Sequence, residues 1–252
     1  GGIDPTGTAR PIAYGVFKTL GAAAVVQARN TERGLHVALH DVTRSQVIDV
    51  NEFPLPQDTR SRAWRMAVHR VSDEVERWIT GMRGVAATRI AYVRNHAIHV
   101  VDSDGADDVT IPMVAEGMSP AWSPDAGAIA YSTFGTDSRI VVYTVATGHS
   151  RSFGARRNTN VSTPAFSPDG SAIVYTIAGE NGSDLFSAPA GGGPPQRLTA
   201  GGGSDNSTPA FSPDGRRIAF TSGRAGPPEI YIMDADGTNV SMFTDYAFST
   251  RN

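Results

Sequence analysis

The sequence predicts an α+β chain: a partial small α/β domain followed by an incomplete β-propeller of four-stranded antiparallel blades. Two observations lead to this prediction, a stretch of similar sequence that occurs three times and one amphipathic helical segment that precedes it. The change from helical to strand-like patterning sets the expected boundary, with the α/β domain over residues 1–86 and the propeller over residues 87–252.

The repeated stretch is the most informative feature. Its copies read SPAWSPDAGAIAYST, STPAFSPDGSAIVYTI and STPAFSPDGRRIAFTS, and their first prolines are Pro120, Pro164 and Pro209, spaced 44 and 45 residues apart. A period of this size indicates a repeat architecture in which no unit can bury its apolar face alone. Each full period holds four short β-prone runs separated by turn residues, which is the content of one propeller blade.

The Ser-Pro-Asp motif inside each copy predicts a tight turn. Pro213 restricts φ, the Asp214 side chain can bond its own backbone, and Gly215 accepts a positive φ. One aromatic residue precedes each turn by the same count, and we expect it to pack against the neighbouring blade: Trp122, Phe166 and Phe211. These roles favour a structural interpretation of the motif over a catalytic one.

The first part of the chain has a different pattern. Short β-prone runs over residues 21–28, 35–42 and 45–50 predict a small meander. The next segment predicts a helix, because apolar residues recur at spacings of three and four: Trp64, Val68, Val71, Val75 and Trp78. Asp58 or Thr59 is the expected N-cap, and Gly81 lies where a left-handed residue ends a helix.

Composition excludes several classes of protein. The 252 residues carry a net charge of −3 and a pI near 6.1, so there is no electrostatic reason to bind nucleic acid or an anionic membrane. The absence of cysteine rules out disulfides and thiolate metal sites. No apolar run approaches the ~18 residues of a membrane span, and the first residues lack the pattern of a signal peptide.

No catalytic, metal-binding or cofactor-binding residue is predicted. The six histidines do not occur at a recognised ligand spacing, and the G-x-S-x-G motif of α/β hydrolases is absent. The acidic stretch Val101–Asp108 lacks the spacing and closing glutamate of a calcium loop. The glycine-rich stretches are not followed by a strand-to-helix transition, so they do not predict a phosphate site.

The repeats resemble the PD40-type repeats of the TolB-like family. A more specific match is HRVSDEVERWITGMRGVAATRIAYV, residues His69–Val93, which is similar to the segment that joins the two domains of that family. The resemblance extends over nearly the whole chain. There are departures: this chain holds about three and a half to four blades instead of a complete propeller. The family's signal peptide, its TolA-binding tail and the first part of its α/β domain are missing, so we interpret the chain as a fragment.

The resemblance implies a non-catalytic periplasmic scaffold of the Tol-Pal system. Such a protein binds the lipoprotein Pal through its propeller, is peripheral to the outer membrane, and contacts TolA through the segment that is missing here. Its implied role is to maintain outer-membrane integrity and to aid cell division. No cofactor is implied.

The resemblance also indicates where Pal would bind. In an antiparallel four-stranded blade the crossovers to the next blade gather at one mouth of the propeller, and loops on a rigid scaffold are the usual binding elements. The expected contact residues precede the repeat prolines: Asn160, Ser162, Thr163, Asn206, Ser207 and Thr208.

Two alternatives stay open at this stage. The repeats could form the gating propeller of a prolyl-oligopeptidase-type or dipeptidyl-peptidase-type hydrolase, which would need a hydrolase domain. They could also form a sensor propeller that binds a small ligand or a cation in its channel.

Overall fold

The computed structural model describes residues 11–112, 116–135, 137–154, 159–200 and 204–244. Contacts between residues divide the chain into two compact units. The first is Gly1–Ile90 with Val101–Asp107, and the second is Ala91–Val100 with Asp108–Asn252. No helix in these described ranges is long and apolar enough to cross a membrane.

The first unit contains a helix-on-sheet layer. Its elements are α1 (Tyr14–Thr19), β1 (Ala24–Thr31), β2 (Gly34–Asp41), β3 (Gln46–Phe53) and α2 (Arg62–Thr80). The three strands form an antiparallel sheet in the order β1-β2-β3, which confirms the predicted meander. Leu35 and Val37 of β2 are buried together with Val71 of α2, and Trp78 packs against the same cluster. Val71, Val75 and Trp78 of the predicted apolar stripe therefore face this core, whereas Trp64 and Val68 are half-buried.

The ends of α2 show one wrong prediction and one confirmed one. The N-cap is Ser61, whose side-chain oxygen accepts a hydrogen bond from the backbone N–H of Trp64 at 3.2 Å. Asp58 instead accepts the N–H of Arg60 at 3.0 Å and so stabilises the turn that leads into the helix. Gly81 ends α2 in the left-handed conformation with φ 79°, as predicted.

The segment after α2 is held by a buried carboxylate. Asp73 is 3% exposed and accepts the backbone N–H groups of Ala86 at 2.6 Å and Ala87 at 2.9 Å. Gly84 donates its own N–H to the Asp73 carbonyl at 3.2 Å, so the two segments run close together. A Cβ on Gly84 would lie 2.8 Å from the Cα of Asp73. The contacts between Asp73 and Gly84 are a physical reason for two motifs of the sequence, S-D, which contains Asp73, and T-G-x-x-G, which ends at Gly84.

The remaining strands form four antiparallel sheets. The leading sheet has three strands in the order β4-β5-β6, namely β4 (Arg89–Arg94), β5 (Ala97–Asp102) and β6 (Val109–Thr110). Blade I consists of β7 (Gly117–Trp122), β8 (Ala128–Thr133), β9 (Ile140–Thr144) and β10 (Ser150–Phe153). Blade II consists of β11 (Asn160–Phe166), β12 (Ala172–Gly179), β13 (Gly182–Pro189) and β14 (Gln196–Arg197). Blade III consists of β15 (Asn206–Phe211), β16 (Arg217–Ser222), β17 (Glu229–Asp234) and β18 (Ser241–Met242).

The blades stack through their first and second strands. The first strand of each blade packs against the first strand of the next, β7 against β11 and β11 against β15. One apolar cluster joins blades I and II and includes Phe166, and a second joins blades II and III and includes Phe211. Trp122 packs on the cluster shared by the leading sheet and blade I. The predicted aromatic residue per blade is thus confirmed, within an incomplete propeller of four-stranded antiparallel blades.

The Ser-Pro-Asp turns have the predicted structural role. In blade II the Asp169 carboxylate accepts hydrogen bonds from the Ser167 hydroxyl and from the N–H and hydroxyl of Ser171. The Ser167 hydroxyl is the main cause, together with the Ser171 N–H and hydroxyl, that lowers the pKa of Asp169 to about 2. The left-handed turn position is Gly170 in blade II, while Ala126 adopts it in blade I with φ 56°.

Candidate functional site

The first strand of every complete blade carries the same bulge. Its register shifts between Met118 and Ala121 in blade I, between Ser162 and Ala165 in blade II, and between Ser207 and Ala210 in blade III. The residue before each repeat proline is left-handed: φ is 51° at Ser119, 50° at Thr163 and 51° at Thr208. A non-glycine residue in this conformation costs roughly 1–2 kcal/mol, so threefold repetition indicates that the rest of the blade imposes it.

Hydroxyl groups of the second strand hold this bulge. Thr163 Oγ1 and Thr176 Oγ1 are 2.8 Å apart in blade II, and Thr208 Oγ1 and Thr221 Oγ1 are 2.9 Å apart in blade III. In blade I the Ser132 hydroxyl donates to the Met118 carbonyl at 3.3 Å. Bulges re-aim side chains at the edge of a sheet, and here they fix the orientation of the residues next to the prolines. We call residues 116–119, 159–163 and 204–208 the crossover edge.

The crossover into blade II is anchored by one buried serine. Ser138 is 1% exposed, its hydroxyl donates to the Thr159 carbonyl at 2.9 Å, and the same oxygen accepts the N–H of Val161 at 2.8 Å. An isolated parallel bridge joins Asp137 to Thr159 beside it. The chain therefore enters β11 in a defined position.

The crossover into blade III is anchored by Asn206. Its side-chain amide donates to the Ser183 carbonyl at 3.1 Å and to Asp184 Oδ1 at 3.3 Å, and its Oδ1 accepts the Ser222 hydroxyl at 2.8 Å. A parallel bridge between Ser183 and Asp205 repeats the arrangement seen one blade earlier. Asn206 is 0% exposed, so no atom of this side chain is accessible to a partner. Its role in the structure is to hold the crossover.

The other predicted contact residues lie at or near the surface. Asn160 and Thr208 are exposed, and Ser162, Thr163 and Ser207 are half-buried. Because β11 and β15 pack against each other, the contact residues of blade II and those of blade III lie at equivalent places on neighbouring strands. The crossover edge thus presents hydroxyl and amide groups on a backbone that is fixed by internal hydrogen bonds.

Sequence reasoning missed the anchoring serines. Ser138 and Ser183 each stand 26 residues before a repeat proline, Ser138 in the loop between β8 and β9 and Ser183 at the start of β13, and aligning these segments would have found them. A single hydroxyl in a polar loop otherwise has no distinctive pattern.

The acidic turn after β5 is compensated by α2 within the first unit. Asp102 is 1% exposed and accepts hydrogen bonds from Arg62 at 2.9 and 2.6 Å and from Arg65 at 2.6 Å. The Arg62 guanidinium is the main cause that holds the pKa of Asp102 below its ordinary value. Arg65 also binds Asp104 at 2.9 Å and Asp107 at 2.6 Å. These carboxylates are used in ion pairs, and the described residues contain no group of three side chains suited to hold a metal ion.

Comparison with known proteins places this geometry in a family. A family model described as the TolB beta propeller domain matches residues 76–249. The Tol-Pal system protein TolB of Histophilus somni (strain 129Pt) is 34% identical over 158 residues, which are 56% of this chain and 36% of that protein. The crystal structure of TolB from Acinetobacter baumannii has a TM-score of 0.77 and 28% identity, over 93% of this chain and 61% of that chain.

Each match covers a larger share of this chain than of the protein with which it is compared. The chain spans about a third of the length of the Histophilus protein and less than two thirds of the Acinetobacter structure. The family model nevertheless covers most of the chain, including all three complete blades and the helix exit that precedes them. The chain therefore belongs to the TolB β-propeller family.

Proposed function

We propose that this chain is a non-catalytic scaffold that binds the lipoprotein Pal at the crossover edge. The contact residues of the proposal are Asn160, Ser162, Thr163, Ser207 and Thr208. Asn206 anchors the start of β15, which carries Ser207 and Thr208. The observation that carries the proposal is the repeated left-handed residue before each proline. Strained backbone that recurs at equivalent surface positions is characteristic of sites where side chains must be held in one orientation.

Pre-organisation is the physical reason to choose this edge. Ordering a loop on binding costs free energy, and a loop already fixed by buried hydrogen bonds avoids that cost. Ser138 and Asn206 hold the chain where β11 and β15 begin before any partner arrives. A polar edge of this kind suits hydrogen bonds to a protein surface.

The wider role follows from the named relative, a Tol-Pal system protein. We place the chain in the periplasm, peripheral to the outer membrane through Pal, and connected to TolA through a segment outside this chain. In that position it supports outer-membrane integrity and cell division.

A binding titration tests the proposal. The chain is titrated with soluble Pal from the same organism, and the variants Asn160→Ala and Ser207→Ala are compared with the unchanged chain. Loss of one hydrogen bond at an interface weakens binding by about 1 kcal/mol or about fivefold, and we expect each variant to do so. Ser152→Ala is the matched control, because Ser152 is exposed on the outer strand β10, away from the first strands.

The outcomes separate the hypotheses. Binding that weakens in the two variants but not in Ser152→Ala supports the crossover edge. Binding that is equal in all four proteins contradicts this edge. No binding by a folded chain contradicts the Pal assignment and favours the gating or sensor propeller.

A further inference from the structure

Arg224 is a charged side chain that contacts Asn206 of the crossover edge and that the proposed contacts do not include. It lies in the loop between β16 and β17, two residues after Ser222, which pairs with Asn206 across the sheet. Its side chain is exposed. An exposed arginine is ordinarily mobile, so the contacts that restrain this one require explanation.

Two hydrogen bonds fix the guanidinium. Nε donates to the Ser222 hydroxyl at 3.0 Å, and Nη2 donates to Asn206 Oδ1 at 3.0 Å. Both acceptors are 0% exposed. The arginine is therefore tied to the same buried residue that anchors the crossover into blade III.

Two aromatic rings support the same group. The guanidinium carbon lies 4.8 Å from the centroid of the Tyr231 ring and 5.4 Å from that of Phe220. Both distances are within the range of cation–π attraction. Phe220 and Tyr231 are buried in the cluster between blades II and III, so the cation is held at the end of a rigid core.

The Arg224 guanidinium has no counter-ion among the residues that the structure describes. In the part of the chain that the structure describes, no carboxylate oxygen stands within 4.0 Å of an Arg224 nitrogen, although eleven other pairs meet that distance. A guanidinium has five N–H donors, and the two hydrogen bonds leave donors on both Nη1 and Nη2. This end of the group can bind a carboxylate with two parallel hydrogen bonds.

The other blades show that folding does not require this arginine. The position equivalent to Arg224 is Gly135 in blade I and Gly179 in blade II, and the position equivalent to Asn206 is Gly117 and Val161. Blade II anchors its crossover through the Ser138 hydroxyl instead. The asparagine and the arginine occur together in blade III alone among the three complete blades described.

We propose that Arg224 is an anion anchor that binds a side-chain carboxylate of the protein docked at the crossover edge. The identity of that protein as Pal rests on the proposed function above, whereas the carboxylate preference rests on Arg224 itself. Because the cation is already oriented, binding does not have to order a long side chain.

Salt-dependent titration with Pal is the first test. Arg224→Gln removes the charge and Arg224→Lys keeps it without the planar pair of donors. We expect Arg224→Gln to weaken Pal binding by about tenfold and to flatten its dependence on salt, with Arg224→Lys between it and the unchanged chain. Arg216→Gln is the control, because Arg216 is also exposed but lies in the turn between β15 and β16. Thermal unfolding of each variant distinguishes a folding defect from loss of the anchor. A folding defect would lower the unfolding temperature without changing the salt dependence of Pal binding.

A second measurement does not depend on Pal. The Nε–H resonance of Arg224, assigned by its loss in Arg224→Gln, is followed by NMR while acetate is added to the intact chain. A saturable shift that Arg216 does not share supports the anchor even if Pal does not bind, which would then contradict only the proposed function. Equal behaviour of Arg224 and Arg216 in this titration, or unchanged Pal affinity and salt dependence in Arg224→Gln, overturns the inference.

Discussion

The leading sheet and the three complete blades have similar sequences but different burial. Ile90 of β4 is 52% exposed, whereas Ile129, Ile173 and Ile218, at the same place in the second strands of blades I, II and III, are each 0% exposed. In the described structure β8, β12 and β16 each pair on both sides, and β4 pairs only with β5. Burial of this isoleucine therefore depends on neighbouring strands and sheets, because the local sequences are similar in all four places.

The aromatic residue two positions later shows the same contrast. Tyr131 and Tyr175 are 0% exposed in blades I and II, while Tyr92 of β4 is half-buried. The Tyr92 hydroxyl instead donates to Asp108 Oδ2 at 2.8 Å. The Tyr92 ring also lies 5.3 Å from the His99 ring, measured between centroids, so a polar contact and one ring contact hold it.

The largest expected effect compares two isoleucines directly. Ile173→Ala removes a fully buried side chain between two blades, and we expect it to lower the free energy of unfolding by about 3–4 kcal/mol. Ile90→Ala removes a half-exposed side chain, and we expect about 1 kcal/mol. Urea denaturation of both variants measures the difference. Equal losses would show that the leading sheet is as well packed in solution as the blades.

A second prediction concerns the segment that leads into the leading sheet. This segment is held by Asp73, and its close approach to the helix depends on Gly84. Gly84→Ala places a Cβ 2.8 Å from the Asp73 Cα, and we expect a loss of about 1–3 kcal/mol.

Gly191→Ala is the control for this change. Gly191 lies in the turn after β13, and a Cβ there would meet no atom within 4 Å. We expect its effect on stability to stay within about 0.5 kcal/mol. A Gly84→Ala protein that unfolds at the same denaturant concentration as Gly191→Ala would show that the close approach to Asp73 is not maintained in solution.

The smallest expected effect is a pH dependence of the blades. The pKa of Asp169 is lowered from 3.8 to about 2 in the folded protein, so its stabilising effect is present above pH 4 and is lost as the pH falls towards 2. Asp169→Asn removes this contribution, and we expect the thermal midpoints of the two proteins to differ at pH 7 and to converge near pH 2. Midpoints that differ by the same amount throughout this range would contradict the assignment. The pKa values of Asp125 and Asp214 are shifted in the same direction, so the unchanged chain keeps a pH dependence of its own.

Much of the fold was predictable because its signals are local. The four-stranded blades follow from a repeated pattern of apolar runs and turn residues, and α2 follows from its apolar stripe. Only the N-cap was misplaced, since Asp58 and Ser61 are both good capping residues and the turn between them decides which one begins the helix. The place of the crossover edge in the chain was predictable, but which of its side chains are buried and which are exposed was not.

The side chains of that edge illustrate the limit. Asn206 and Ser207 are adjacent polar residues with the same sequence signal, yet Asn206 is fully buried and Ser207 is half-buried. The difference arises from Ser183 and Asp184 of blade II, whose oxygen atoms accept the amide hydrogens of Asn206. Arg224 gave no signal either, because its partners come from three different strands.

The sequence by itself determined the repeat, the turns, the helix and the family resemblance, because each depends on residues close together in the chain. Only the tertiary structure decided which isoleucine is buried, which polar residue anchors a crossover and which arginine is held with no carboxylate partner among the described residues. These properties depend on groups that stacking brings together from separate strands and, for the buried isoleucines and the anchors, from neighbouring blades. A pattern confined to one strand does not contain them.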